Sequence, residues 1–260
     1  MKKICLLVCL ALLAAVLCAC GGNTQLDRIR SNGVLRVGVK VDVPDFGYLN
    51  PETNTIEGIE IDLARLIAQE LLGDNQAVRL VSVTAQTRES MLENGELDIV
   101  IATFTITDER KERFYFTESY FRDEIALLVR KDSGVTNIMQ LDNKTIGIVN
   151  AGTAKPALVA EVEQRGINVN YGEYASYPEV KAALTSGKID AFCVDKLILI
   201  GYLDDETYIL EEGFNRQDYG IAAKKEDKAF TKYLDDFMNK LRSNGQLEDI
   251  LKHWNKEAFW

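Results

Sequence analysis

Two hydrophobic periods alternate along this chain. Residues 34–39 (VLRVGV) read as a strand and residues 40–47 as a turn. Ile59, Leu63, Leu66, Ile67 and Leu71 then fall at i, i+4, i+7, i+8 and i+12, the stripe of a helix stopped by Gly73. Strand 78–83, helix 88–93 and strand 97–102 complete a βαβαβ unit. The order repeats in strand 145–149, helix 156–164, strand 168–171, helix 177–186 and strand 189–194. Both units carry Gly-x-aliphatic-Asp-aliphatic, at 95–99 and at 187–191. Two similar α/β units predict two lobes with a cleft between them. The apolar run 125–130 is the expected crossing and 219–223 the expected return, so that amphipathic helices at 227–242 and 247–254 finish the first lobe.

The start of the chain breaks this pattern. Lys2 and Lys3 precede an apolar run over residues 4–17, and no acid occurs before Asp27, which reads as a secretory signal too short to be a span. The signal is assigned to residues 1–19, and residues 20–30 to the new N-terminus and a polar tether. At 260 residues, 47% hydrophobic and 27% charged, the chain suits one or two globular cores. Cys5, Cys9 and Cys18 lie in the signal, leaving Cys20 and Cys193, so no disulfide framework is expected. The net charge of −10 becomes −12 when Lys2 and Lys3 leave, which argues against nucleic acid and polybasic membrane attachment. A basic pocket in such a chain must be local.

The most informative local chemistry is Thr105-Ile106-Thr107-Asp108-Glu109-Arg110. Thr107, Asp108 and Glu109 supply a helix N-cap and a negative first turn, at a strand's carboxyl end, where open α/β sheets bind ligands. A cation and several hydroxyls there can hold a zwitterion, although Arg110 also suits a solvated helix start paired to a nearby acid. Asp195, after strand 189–194, suits the N-cap of a helix over 196–203. His253 is the only histidine, and no metal-ligand cluster, phosphate loop or Gly-x-Ser-x-Gly elbow occurs. Neither a metal, a cofactor nor a catalytic residue is expected.

Leu17-Cys18-Ala19-Cys20-Gly21-Gly22 resembles the lipobox of bacterial lipoproteins, which implies acylation of Cys20 and attachment, through the N-terminal lipid, to the outer face of the cell membrane or within the periplasm. The rest resembles the polar amino-acid branch of the periplasmic solute-binding proteins, the receptors of ABC importers, and most nearly their aspartate/glutamate-binding members. The likeness spans nearly the whole mature chain: 33–39 (GVLRVGV), 58–64 (GIEIDLA) where the family has GF-x-x-D-hydrophobic-A, 105–110, 116–121 (FTESYF), 141–148 (LDNKTIGI), Gly152-Thr153 and 187–191 (GKIDA). It implies a type II, two-lobed α/β fold with two hinge segments. Lobe 1 would take 31–127 with 220–260 and lobe 2 would take 128–219, working as a monomer that docks on a membrane permease.

The resemblance also implies residue roles. Arg110 stands where the family's arginine forks onto the ligand α-carboxylate, a match of planar guanidinium to carboxylate. Thr105 and Thr103 stand where hydroxyl or backbone groups meet the ligand, Thr103 replacing the glycine or serine of many relatives. Thr153, opening a helix whose free N–H groups favour an anion, is the second carboxylate clamp. Asp195 accepts the ammonium. Lys40 and Arg88 stand where acidic-amino-acid receptors meet the distal carboxylate, and Tyr219 where its hydroxyl would join them. Cys193 and Ala154 replace a serine and a threonine of a close acidic-ligand relative, which removes hydrogen bonds.

Taken singly, Lys40 reads as a loop residue, Arg88 as a helix-start charge and Tyr219 as a hinge aromatic. Together, Lys40, Arg88 and Arg110 against Asp195 leave an excess of positive charge. That favours aspartate or glutamate over glutamine, because an unpaired buried ion costs several kcal/mol. GVK-x-D and TR also occur in relatives assigned to glutamine, so the amide is the alternative ligand. A cyclohexadienyl-type dehydratase on this fold would need a tuned general acid in the cleft; an adhesin or sensor would bind independently of amino acids.

Overall fold

The computed structural model describes residues 24–256. In the first lobe β1 (Leu35–Val39) pairs in parallel with β5 (Val78–Ser82) and β6 (Ile99–Val100). The sheet continues antiparallel through β14 (Ala222–Lys224) to β7 (Phe114–Phe116). A small antiparallel sheet of β2 (Asp42–Val43), β3 (Gly47–Asn50) and β4 (Thr55–Glu57) follows β1. The expected stripe forms α2 (Ile59–Leu72), closed by Gly73 at φ 78°. After α3 (Arg88–Glu93) and α4 (Asp108–Arg113), the amphipathic C-terminal pair α8 (Lys228–Ser243) and α9 (Gln246–His253) returns to this lobe.

The second lobe has six strands. β10 (Asn170–Tyr174), β9 (Thr145–Val149) and β11 (Ala191–Asp195) run parallel, and β8 (Phe121–Arg130) pairs antiparallel with β11, β12 (Thr207–Ile209) and β13 (Phe214–Tyr219). Its helices are α5 (Ala154–Arg165), α6 (Tyr177–Thr185) and α7 (Lys196–Ile200). This is the type II arrangement of two α/β lobes. The repeated aspartates do the same job in each: Asp98 accepts the Arg36 amide (2.8 Å) and Asp190 the Thr145 amide (2.9 Å), each tying down the start of the parallel strand beside its own, β1 and β9.

Three expectations change. The run 125–130 is not a crossing, since all of Phe121–Arg130 is one strand of the second sheet and the 127/128 boundary falls inside it. The crossings lie at residues 117–120 and 219–221, where the Thr117 amide donates to the Ile221 carbonyl (3.0 Å) and the Tyr120 amide to that of Tyr219 (2.9 Å). Part of the supposed tether is helix α1 (Gln25–Asn32), because Thr24 and Asp27 form a capping box and Ile29 is buried. Strand 97–102 is reduced to β6, because the chain turns away at Thr103, which has φ 42°. Cys20 and the signal lie outside the described residues.

The lobes are in contact. One apolar cluster contains Val39 and Ile59 of the first and Tyr177 and Val194 of the second. The Tyr202 hydroxyl donates to the Asp42 carbonyl (2.5 Å), and a Cβ on Gly201 would stand 2.8 Å from Pro44. No described helix is long and apolar enough to cross a membrane.

Candidate functional site

The carboxyl end of β6 delivers residues 103–110 to the interlobe cleft. Thr105 forms an isolated bridge with Tyr219, and the Thr107 hydroxyl caps α4 by accepting the Arg110 amide (3.2 Å). Arg110 is thereby held in the first turn, and its guanidinium is buried. Nη1 donates to the Thr105 carbonyl (2.9 Å), Nε to Glu89 (3.2 Å) and Nη2 across the cleft to the Ala151 carbonyl (3.4 Å). Arg88, 3% exposed, donates to the carbonyls of Ala102 (2.7 Å) and Thr103 (3.3 Å). Both guanidinium carbons lie near the Phe104 ring, at 4.2 Å for Arg88 and 4.6 Å for Arg110, a cation–π arrangement that offsets part of their desolvation.

Lys40, 2% exposed, pairs with Asp42 (3.0 Å), and its ammonium lies 4.7 Å from the centre of the Tyr177 ring. Burial lowers the pKa of all three cations. It takes Arg88 to about 10 with help from Arg110, while Asp42 opposes the shift at Lys40 and Glu89 at Arg110. From the second lobe, Thr153 opens α5 and donates its hydroxyl to Gln217 (2.7 Å). Asp195 ends β11 and is buried. A cavity of about 20 Å³ between the lobes is lined by Arg88, Thr103, Thr105, Thr153, Tyr177 and Asp195, among others. It adjoins, through Gly152 and Thr153, an outer hollow of about 350 Å³ beside Arg110 and Arg113. Larger hollows lie elsewhere, and in the wall of one of them Arg36 and Asp98 answer each other as an ion pair (2.7 Å).

Opposed charges around a cleft between two α/β lobes describe a clamp for a small zwitterion. The sequence profile of the bacterial extracellular solute-binding proteins, family 3, matches residues 35–257. The chain belongs to this family. It is 34% identical over 99% of its length to the ABC transporter glutamine-binding protein GlnH of Bacillus subtilis, covering 98% of that protein. It is 38% identical over 82% of its length to the glutamine-binding protein of Geobacillus stearothermophilus, covering 81% of it. Among solved structures, a cysteine-binding protein from Campylobacter jejuni superposes with a TM-score of 0.82 at 31% identity, over 91% of this chain and 95% of that one.

Within this family 3 chain, Lys40, Arg88, Thr103, Thr105, Arg110, Thr153 and Asp195 come together, and two expected residues do not serve as expected. Cys193 is sealed in the second lobe's own core with Ile148, Ala154 and Leu158, where burial pushes its thiol well above the usual range. The Tyr219 hydroxyl is committed to Asp195, with Asp123 at 3.2 Å, so it is not free for a distal carboxylate. Asp195 makes no cap for α7; Asp123 instead accepts the Leu197 amide (3.1 Å), which leaves Asp195 to the cleft.

The sequence reading passed over three residues here. Phe104 lies under both arginines. Asp123 sits behind Asp195. Glu60 is fully buried beneath Thr103, whose amide it accepts. Glu60 was legible from spacing, since it heads the i, i+4, i+7, i+11 face shared with Ala64, Ile67 and Leu71.

Proposed function

We propose that this chain is the substrate-capturing receptor of an ABC importer, anchored by a lipid on Cys20, that closes its lobes on a polar α-amino acid, with glutamate or aspartate as the preferred ligand. It would work as a monomer presenting its closed lobes to a permease, without catalysis or cofactor. In this reading Arg110 and Thr153 clamp the α-carboxylate, Asp195 takes the ammonium, and Arg88 with Lys40 faces the side chain's distal group. The observation that carries it is the burial of Lys40, Arg88 and Arg110 in one acidic protein, around the cleft that also buries Asp195. Two carboxylates and one ammonium answer that set. Glutamine is the second reading, favoured by the ion pairs that already answer Lys40 and Arg110 and by the two glutamine-binding relatives.

Calorimetric titration of the purified protein, freed of bound ligand by unfolding and refolding, with aspartate, glutamate, glutamine, asparagine and arginine tests both. Arg110→Ala should abolish binding of every α-amino acid, at least a hundredfold by the usual cost of leaving a buried charge unpaired, about 3–5 kcal/mol. Arg88→Ala should mainly erase the preference between acid and amide. An unchanged ratio in Arg88→Ala would overturn the side-chain assignment, and no binding of any amino acid would overturn the receptor reading.

A further inference from the structure

Glu60 is a fully buried carboxyl, yet takes no part in the binding scheme above. Its Oε1 accepts the Tyr120 hydroxyl (2.6 Å) and the Thr103 amide, while Oε2 is buried without a partner. On the other side of Thr103, the Arg88 Nε is buried and unpartnered too. The carbonyl of that same Thr103 receives Arg88 Nη1, so Glu60 and Arg88 grip one residue from either end. Lys40 and Arg88 are the charges that act on Glu60, and Lys40 is answered in turn by Asp42.

Resting on the amino-acid reading, we propose that Glu60 is a positioning residue that sets the charge of the side-chain subsite and so selects between glutamate and glutamine. Once Arg110 holds the α-carboxylate and Asp195 the ammonium, Lys40 and Arg88 remain against Asp42 and Glu60. With Glu60 ionised, two cations meet two anions and a neutral carboxamide completes the site. With Glu60 protonated, one positive charge is left over and a carboxylate answers it. The group can titrate in the working range: burial pushes its carboxyl up to about 7, against the opposing pull of Tyr120, the Thr103 amide, Lys40 and Arg88. Below that value Glu60 is neutral and glutamate is favoured; above it, its charge works against a second carboxylate. Asp195 also titrates, but it faces the ammonium common to both ligands and cancels in their ratio.

The test is calorimetry with L-glutamate and L-glutamine from about pH 5.5 to about pH 8.5, in a range where the ligands themselves keep their charge. In the wild type, Kd(Glu)/Kd(Gln) should rise about tenfold through pH 7, the effect of roughly one pKa unit of coupling. Glu60→Gln should keep the ratio low and flat across the range. A Glu60→Gln ratio that follows the wild-type curve overturns the proposal. So does a loss of affinity shared equally by both ligands, which marks a purely structural role. If Glu60→Gln does not fold, Tyr120→Phe removes a donor that favours the ionised form and should move the midpoint of the ratio to higher pH; an unmoved midpoint is fatal. Wild type that binds neither ligand sinks the receptor reading instead, whereas wild type that binds both with a flat ratio sinks only the role of Glu60.

Discussion

Asp195 and Asp123 share the Tyr219 hydroxyl in a buried setting, and that arrangement has a cost that depends on protons. Burial raises both carboxyls, and the Asp195 charge raises Asp123 further; Tyr219, Arg88 and Arg110 favour the ionised form of Asp195, so Asp123 is the one held protonated. The folded chain therefore retains protons that the unfolded chain has released. Unliganded stability should fall as pH rises from the ordinary carboxylate range towards 8. Asp123→Asn should flatten that slope in thermal melts recorded across the interval, and an unaltered slope would place the protons elsewhere. At this scale the sequence exposed the polar members of the cleft but not their partners. Arg88 and Arg110 could be read from motif position, whereas Tyr219, Asp123 and Cys193 depend on which face of a strand meets which lobe, and that is set by long-range pairing.

Elements were legible where their period was strong. The α2 stripe, β9 and the C-terminal helices lie where alternation placed them, because local pattern and tertiary burial agree there. Residues 125–130 misled because the buried half of a strand is an apolar run and reads the same as a crossing. The glycine–aspartate repeat was visible as a pattern, yet its job, tying the start of a distant strand, needed the fold. That job predicts unequal costs. Asp98 is buried and also pairs with the partly exposed Arg36, so Asp98→Ala should cost about 2–3 kcal/mol. Asp190 is a third exposed and holds mainly the Thr145 amide, so Asp190→Ala should cost about 1 kcal/mol. Denaturant midpoints of the two variants check the order.

The whole molecule depends on the lobes meeting. Gly201 faces Pro44 across the cleft with no room for a side chain, and its φ of −67° suits any residue, so Gly201→Leu should wedge the lobes apart without straining the backbone. Ligand affinity should drop by about tenfold, as for a penalty near 1.4 kcal/mol, and small-angle scattering should keep the radius of gyration large at saturating ligand. A variant that closes as wild type would show the contact to be incidental to closure. Helix α1 has a different consequence. Because Thr24 already belongs to its capping box, only four Cα steps separate the folded lobe from the proposed acylated Cys20. Fully stretched, they reach about 14 Å. If Cys20 carries the proposed lipid, such a receptor would ride on a short leash and find a permease by drifting in two dimensions, with its orientation largely chosen in advance.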